Sequence, residues 1–362
     1  MDNRLFQAFQ LGGIILSNRC VMAPLTRRRA ENPGLVPNDL MAEYYRQRSS
    51  AGLIISEGSP VSPRAYGYTH TPGCYTDGQL EGWKKITGAV HDAGGKIFMQ
   101  LWHVGPFSHK MLQTDGQPPL SASNITPVGE VLTSIGRIEY GEAKAMTHDE
   151  IRETVADFGR AARNALGAGF DGVEVHGAHA YLIDQFIMDG TNKRNDQYGG
   201  SIENRSRFLF EVLDEIVAHI PASRVGLRLS PKRVRPGMSD SNPELTYGYI
   251  IERLNDYQLA YLHISEMIKP EIRASLPEKT FVPHARELYS GTLISCGGHT
   301  LESATRMLDA GHADLIAFGK PFISNPDLVH RLKTGAPLTD PDEDTFYHGG
   351  EKGYTDYPFS QL

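Results

Sequence analysis

Two histidines and a tyrosine, His176, His179 and Tyr181, follow the short apolar run GVEV at 172–175. Imidazoles can hydrogen-bond an oxygen from either ring nitrogen, and a phenol beside them can release a proton. The chemistry that suits this trio is polarisation of a carbonyl acceptor, with a proton delivered close by. His-x-x-His spacing can also ligate a metal, but no third ligand has comparable support, so no metal is expected. Taken on their residue types alone, the histidines could equally be satisfied structural groups and Tyr181 a packing residue.

Something must hold these side chains together, and eight short apolar runs supply the framework. They are RCVMAP (19–24), LIISEG (53–58), IFMQLWH (97–103), GVEVHG (172–177), VGLRLSP (225–231), YLHISE (261–266), TLISCGG (292–298) and LIAFGK (315–320). Most lack strict alternation, as expected of parallel strands covered on both faces. Helical segments lie between them and end in Gly or Ala-Gly, where a C-cap belongs. Thr147 and Glu150 have capping-box spacing at the start of one. The pattern predicts an α/β fold, a (β/α)₈ TIM barrel, preceded by a hairpin around Gly12-Gly13.

Two connections exceed simple loops, the roughly 40 residues after His103 and the segment NKRNDQYGG (192–200), and long insertions on the C-terminal face of a barrel tend to build its site. GAGFDG (167–172) fits GxGxxG, but helix precedes strand there, the reverse of a dinucleotide loop. No domain boundary or internal repeat is seen.

Composition narrows the class of partner. The chain has 362 residues, 40% hydrophobic and 22% charged, with a net charge of -7 and scattered Lys and Arg. That argues against nucleic acid and anionic membranes, and no apolar run approaches a membrane span of about 20 residues. No export signal is evident, so a cytoplasmic location is expected. Cys20, Cys74 and Cys296 lack CxxC spacing and read as reduced, buried thiols.

A barrel demands that unusual polar residues gather at the strand C-termini. Thr26, Gln100, His103, His176, His179 and Arg228 fall at those positions, as do Gly297-Gly298 and Gly319-Lys320. Glycines after the seventh and eighth strands suit a phosphate cradled by backbone N–H groups. A buried Arg228 needs an anionic partner, and Gln100 offers both donor and acceptor to a planar heterocycle.

MAPLTR (22–27), LMAEYYRQRSSAGLIISE (40–57), QLWHVG (100–105), the block 172–208, LRLSP (227–231), AFGKPFISNPDL (317–328) and GGEKGYTDYP (349–358) carry a resemblance over nearly the whole chain. The sequence resembles the Old Yellow Enzyme family of FMN-dependent ene-reductases, and within it the N-ethylmaleimide reductase and pentaerythritol tetranitrate reductase group. The resemblance implies one FMN-binding barrel over 1–362, using NADPH or NADH to reduce the C=C bond of enones, maleimides and nitroalkenes. It implies Ala23, Pro24, Leu25, Thr26, Gly58, Gln100 and Arg228 around the flavin ring. Gly297, Gly298, Gly319 and Lys320 would hold its phosphate. His176 and His179 would bind the substrate oxygen, with Trp102 and Tyr68 lining the pocket. Hydride would come from flavin N5 and a proton from Tyr181.

The chain departs from the family pattern at GPFSH (105–109), where a basic residue is usual, at Lys320 in place of Arg, and in SEMIKPEI (265–272), which lacks an aromatic. A monomer or homodimer is expected. Two other functions fit parts of the pattern, a redox-responsive flavin protein without turnover and a flavin-free, phosphate-binding barrel acting as lyase or isomerase.

Overall fold

The computed structural model describes residues 3–232, 235, 237–266 and 280–360, so residues 267–272 of SEMIKPEI lie outside it. At its centre is a closed barrel of eight parallel strands. These are β1 (Cys20–Met22), β2 (Leu53–Pro60), β3 (Ile97–Trp102), β4 (Gly172–His176), β5 (Val225–Leu229), β6 (Tyr261–Ser265), β7 (Leu293–Cys296) and β8 (Leu315–Phe318). Each pairs with its successor, and β8 returns to β1. Every strand residue is buried, which explains the missing alternation.

Helices wrap the barrel: α1 (Asp39–Gln47), α2 (Asp77–Asp92), α3 (His148–Gly167), α4 (Leu182–Ile187), α5 (Ile202–Val217), α6 (Pro243–Leu254), α7 (Val282–Leu288) and α8 (Leu301–Asp309), with α9 (Lys320–Ser324) and α10 (Leu328–Thr334) after β8. The α3 capping box forms: Glu150 N–H donates to Thr147 Oγ1 (3.2 Å), and Thr147 N–H donates to Glu150 Oε2 (2.8 Å). Helix α3 ends at Gly167 and β4 begins at Gly172, so the GxGxxG match is a helix-to-strand turn.

The N-terminal hairpin pairs Phe9–Leu11 with Ile14–Leu16. It sets Leu11 and Leu16 in one cluster with Val21, Phe98, Ile294 and Leu315 inside the barrel. Both leucines are almost fully buried, contributing about 1.5–3 kcal/mol each. The hairpin therefore closes the barrel opposite the mouth. At the mouth, the insertion after β3 folds into a second hairpin, Glu130–Thr133 with Gly136–Glu139. The 192–200 segment braces that insertion: Arg194 donates to Ala122 O (3.1 Å) and Met146 O (2.8 Å) and pairs with Asp196 (2.6 Å).

Three buried arginines tie the early chain to its C-terminal end through carbonyl oxygens. Arg27 donates to Phe346 O (3.0 Å) and Gly353 O (2.7 Å). Arg29 donates to Thr345 O (2.8 Å), His348 O (2.7 Å) and Gly350 O (3.0 Å). Arg48 reaches Phe322 O (2.8 Å), Ile323 O (2.7 Å) and Tyr354 O (3.3 Å). Tyr44 stacks on Tyr354 at 4.0 Å, beneath the Arg48 guanidinium. Tyr44 also accepts from Arg27 (3.2 Å), and Tyr45 accepts the Glu57 N–H (2.9 Å). The Glu57 carboxylate in turn accepts the amides of Arg27 (3.3 Å) and Arg28 (3.4 Å). Burial pushes Glu57 up to about 7, against those two amides and the charge of Arg27 and Arg29.

Candidate active site

The chain leaves β4 through a backbone that few residues adopt. His179 and Ala180 both have positive φ, 63° and 64°. Three bonds hold that turn: His179 N–H to Ser230 Oγ (2.7 Å), Ala180 N–H to Asp184 Oδ2 (2.7 Å) and Gln185 Nε2–H to Ala180 O (2.8 Å). The consequence is a compact aromatic group. The rings of His176 and His179 lie 5.3 Å apart, and that of Tyr181 lies 5.1 Å from His176 and 5.0 Å from Trp102.

Hydrogen bonding sets the chemical state of this group. Ala178 N–H donates to His176 Nδ1 (3.3 Å), so the neutral ring carries its proton on Nε2. His179 Nε2 lies 3.0 Å from Ser265 Oγ, which also accepts from Arg228 (3.1 Å). Tyr181 OH donates to Tyr68 OH (3.2 Å), and Tyr68 stacks on Trp102 at 5.2 Å. Burial, with Tyr181 alongside, pushes the Tyr68 phenol well above its ordinary range.

Two adjoining cavities open at the strand C-termini. The inner one, about 270 Å³, is lined by Pro24, Leu25, Thr26, Gln100, Trp102, His176, His179, Tyr181, Arg228 and Ser265. The outer one, about 560 Å³, shares Pro24, Leu25, Thr26, Trp102, His179 and Tyr181 and adds Tyr68, Lys320 and the 130–139 hairpin. Of the other sequence candidates, Lys320 borders the outer cavity and the rest lie outside both linings. Ala23 packs inside the barrel, its N–H extending the ladder to Phe318 O (3.0 Å). Gly58 lies under Trp102, where a Cβ would come within 2.6 Å of the ring. Gly297 and Gly298 follow β7, both at positive φ, and Gly319 caps α9. Lys320 is exposed and its ammonium pairs with Glu343.

The inner cavity suits a planar, partly anionic heterocycle. Arg228 is buried; among the described residues it bonds Ser265 Oγ (3.1 Å) and, at 3.7 Å, Cys296 Sγ, and its Nε has no hydrogen-bond partner. A guanidinium so placed is costly without an anion. Below it, Glu174 takes Gln100 Nε2–H (2.8 Å) on one oxygen and His263 Nδ1 (2.8 Å) on the other. Burial would raise Glu174, but His263 and Arg228 hold it below its ordinary value. Burial likewise opposes Cys296 ionisation, yet His263 and Arg228 bring the thiol down to about 7.

Reading the sequence alone missed Ser265, Ser230, Glu174 and the 130–139 hairpin. Ser265 and Glu174 lay within runs read as strands, and nothing in their types set them apart. Among the described residues no cluster of three or more His, Cys, Asp or Glu could hold a metal ion, and no helix is long and apolar enough to cross a membrane.

Known proteins match this chain over nearly its full length. Residues 4–339 match the NADH:flavin oxidoreductase / NADH oxidase family. The 12-oxophytodienoate reductase 1 of Oryza sativa subsp. japonica is 43% identical, over 98% of this chain and 93% of its own length. Morphinone reductase, solved in complex with tetrahydroNAD, superposes with a TM-score of 0.92 at 46% identity, covering 99% of this chain and 98% of that one. The old yellow enzyme homologue from Zymomonas mobilis gives 0.93 at 42% identity, covering 98% and 99%. With the barrel, the cavity and full-length identity in agreement, the chain belongs to the NADH:flavin oxidoreductase / NADH oxidase family, as an FMN-dependent ene-reductase of the Old Yellow Enzyme type.

Proposed function

We propose that His176 and His179 hold the oxygen of an activated alkene, an enone, maleimide or nitroalkene, and that Tyr181 supplies the proton completing its reduction. The observation that carries this reading is the His176, His179 and Tyr181 cluster on the wall of a cavity floored by Arg228 and Gln100. Gln100, Arg228, Thr26, Pro24 and Leu25 would hold the FMN ring, with the backbone at Gly297, Gly298 and Gly319 near its phosphate. The chemistry FMN supplies when bound is hydride relay from the nicotinamide to the alkene.

The protein contributes charge and geometry. A neutral His176 with its proton on Nε2 is a donor to an oxygen that gains negative charge as the double bond is reduced. Tyr181 gives up its proton beside Tyr68, whose hydroxyl can turn to donate to the phenolate left behind. Trp102, stacked between Tyr68 and His176, walls the cavity and limits water.

Anaerobic stopped-flow mixing tests the reading. Flavin colour should bleach with NADPH or NADH and return with 2-cyclohexenone or N-ethylmaleimide. Tyr181→Phe should slow the return by about 10²–10⁴-fold while leaving the bleaching rate alone. Equal slowing of both phases removes Tyr181 as the acid, and colour that no alkene restores removes the ene-reductase reading.

A further inference from the structure

The outer cavity is basic although the chain carries a net charge of -7. Arg28, Arg137 and Arg235 line it, with Glu130 as the carboxylate on the same wall. Arg27 and Lys320 border it too, but Arg27 is engaged by backbone carbonyls and Lys320 by Glu343. The three remaining arginines have no ion-pair partner among the described residues.

Arg235 is the one that packs against the aromatic group at the site. Its backbone pairs with Met238 (3.3 and 2.9 Å), and Met238 is buried, its sulfur accepting from Gln185 Nε2 (3.3 Å). The guanidinium lies 4.3 Å from the centre of the Phe107 ring and 5.7 Å from that of Tyr181. Its Nε is buried without a hydrogen-bond partner among the described residues. Phe107 belongs to GPFSH, where the chain departs from its family, and here that ring serves as the platform for an arginine arriving from the loop after β5. A partly desolvated guanidinium on an aromatic face is a strong, directional donor to a carboxylate. Arg28 is tethered to Thr69 O (2.9 Å) and Thr69 Oγ1, and Arg137 lies close enough to repel it.

We propose that Arg235, with Arg28 and Arg137 on the same cavity, forms an anion subsite that selects activated alkenes carrying a carboxylate remote from the double bond. The proposal rests on the ene-reductase reading and specifies its substrate class. The anion would lie beside Tyr181, with the reacting end toward His176 and His179.

The test compares kcat/KM for a neutral cyclic enone and for the same enone bearing a propionate side chain. The holoenzyme should favour the carboxylate about tenfold or more at low salt, and the preference should shrink as KCl is added. Arg235→Met keeps the aliphatic stem over Phe107 and should lower the ratio at least tenfold, with Arg235→Lys in between. A ratio near one in the natural enzyme, or one unchanged in Arg235→Met, overturns the proposal. If the ratio persists while reduction by the nicotinamide slows in Arg235→Met, the cations serve the coenzyme's phosphates instead, and the acceptor assignment is wrong. If neither enone is reduced at all, the ene-reductase reading itself fails, a result distinct from a lost preference.

Discussion

Glu57→Gln gives a stability change whose sign and pH window follow from the structure. The carboxyl is fully buried on β2, and one oxygen accepts the Arg27 and Arg28 amides while Oε1 has no hydrogen-bond partner among the described residues. Burial moves it from an ordinary 4.5 to about 7. Between those two values the folded state keeps a proton that the unfolded chain has released. This carboxyl therefore lowers stability as pH rises through the window, adding nothing below it and a constant penalty above it. At about 1.4 kcal/mol per pH unit, the penalty reaches about 3 kcal/mol by pH 8. A glutamine can keep the acceptor toward the two amides and turn its NH₂ to the other side, without a charge to bury. Urea unfolding of both proteins at pH 4.5 and pH 8 isolates the effect, because other groups cancel in the difference. Glutamine should gain about 3 kcal/mol relative to glutamate between the two pH values. A difference that is flat, or that favours glutamate at pH 8, would show that Glu57 is ionised and well paired in the fold, and would refute the reasoning.

Gly58→Ala should lower unfolding free energy by about 1–3 kcal/mol, since its Cβ would fall 2.6 Å from Trp102 Cε3 and 2.8 Å from Cδ2. Tryptophan fluorescence should shift as the ring yields, and an unchanged spectrum with full stability would mean the strand relaxes instead. Ser265→Ala removes the hydroxyl shared by Arg228 and His179, which should weaken a phenolic ligand about tenfold at a typical cost of about 1–3 kcal/mol per orphaned group. Ser265→Thr should restore binding in the same absorbance titration, and equal affinity in all three proteins would rule out Ser265 as the residue positioning His179.

What the sequence discloses follows from how local each cause is. All eight strands were legible because a parallel barrel buries both faces of every strand, and burial writes itself as short apolar runs. The α3 start was legible because a capping box needs only Thr147 and Glu150. The grouping of His176, His179 and Tyr181 was legible because one turn carries all three. Ser265 was not, since its importance comes from two neighbours on other strands and loops. The burial of Arg27, Arg29 and Arg48 was not legible, because the carbonyls that bury them arrive some three hundred residues later. Arg235 gave no signal, because its partner ring, Phe107, is brought to it by the barrel.

Arg27, Arg29 and Arg48 also make the mouth of the barrel depend on contacts remote in sequence. Arg27 meets its acceptor 326 residues further on at Gly353, and Arg48 meets Tyr354 across 306 residues. Until the stretch 345–354 docks, those guanidiniums lack its carbonyl oxygens, and the segment between β1 and β2 that carries Thr26 lacks its anchors. That stretch is a keystone: displacing it should loosen the mouth where Thr26 sits while leaving the barrel wall, which is paired strand to strand, in place.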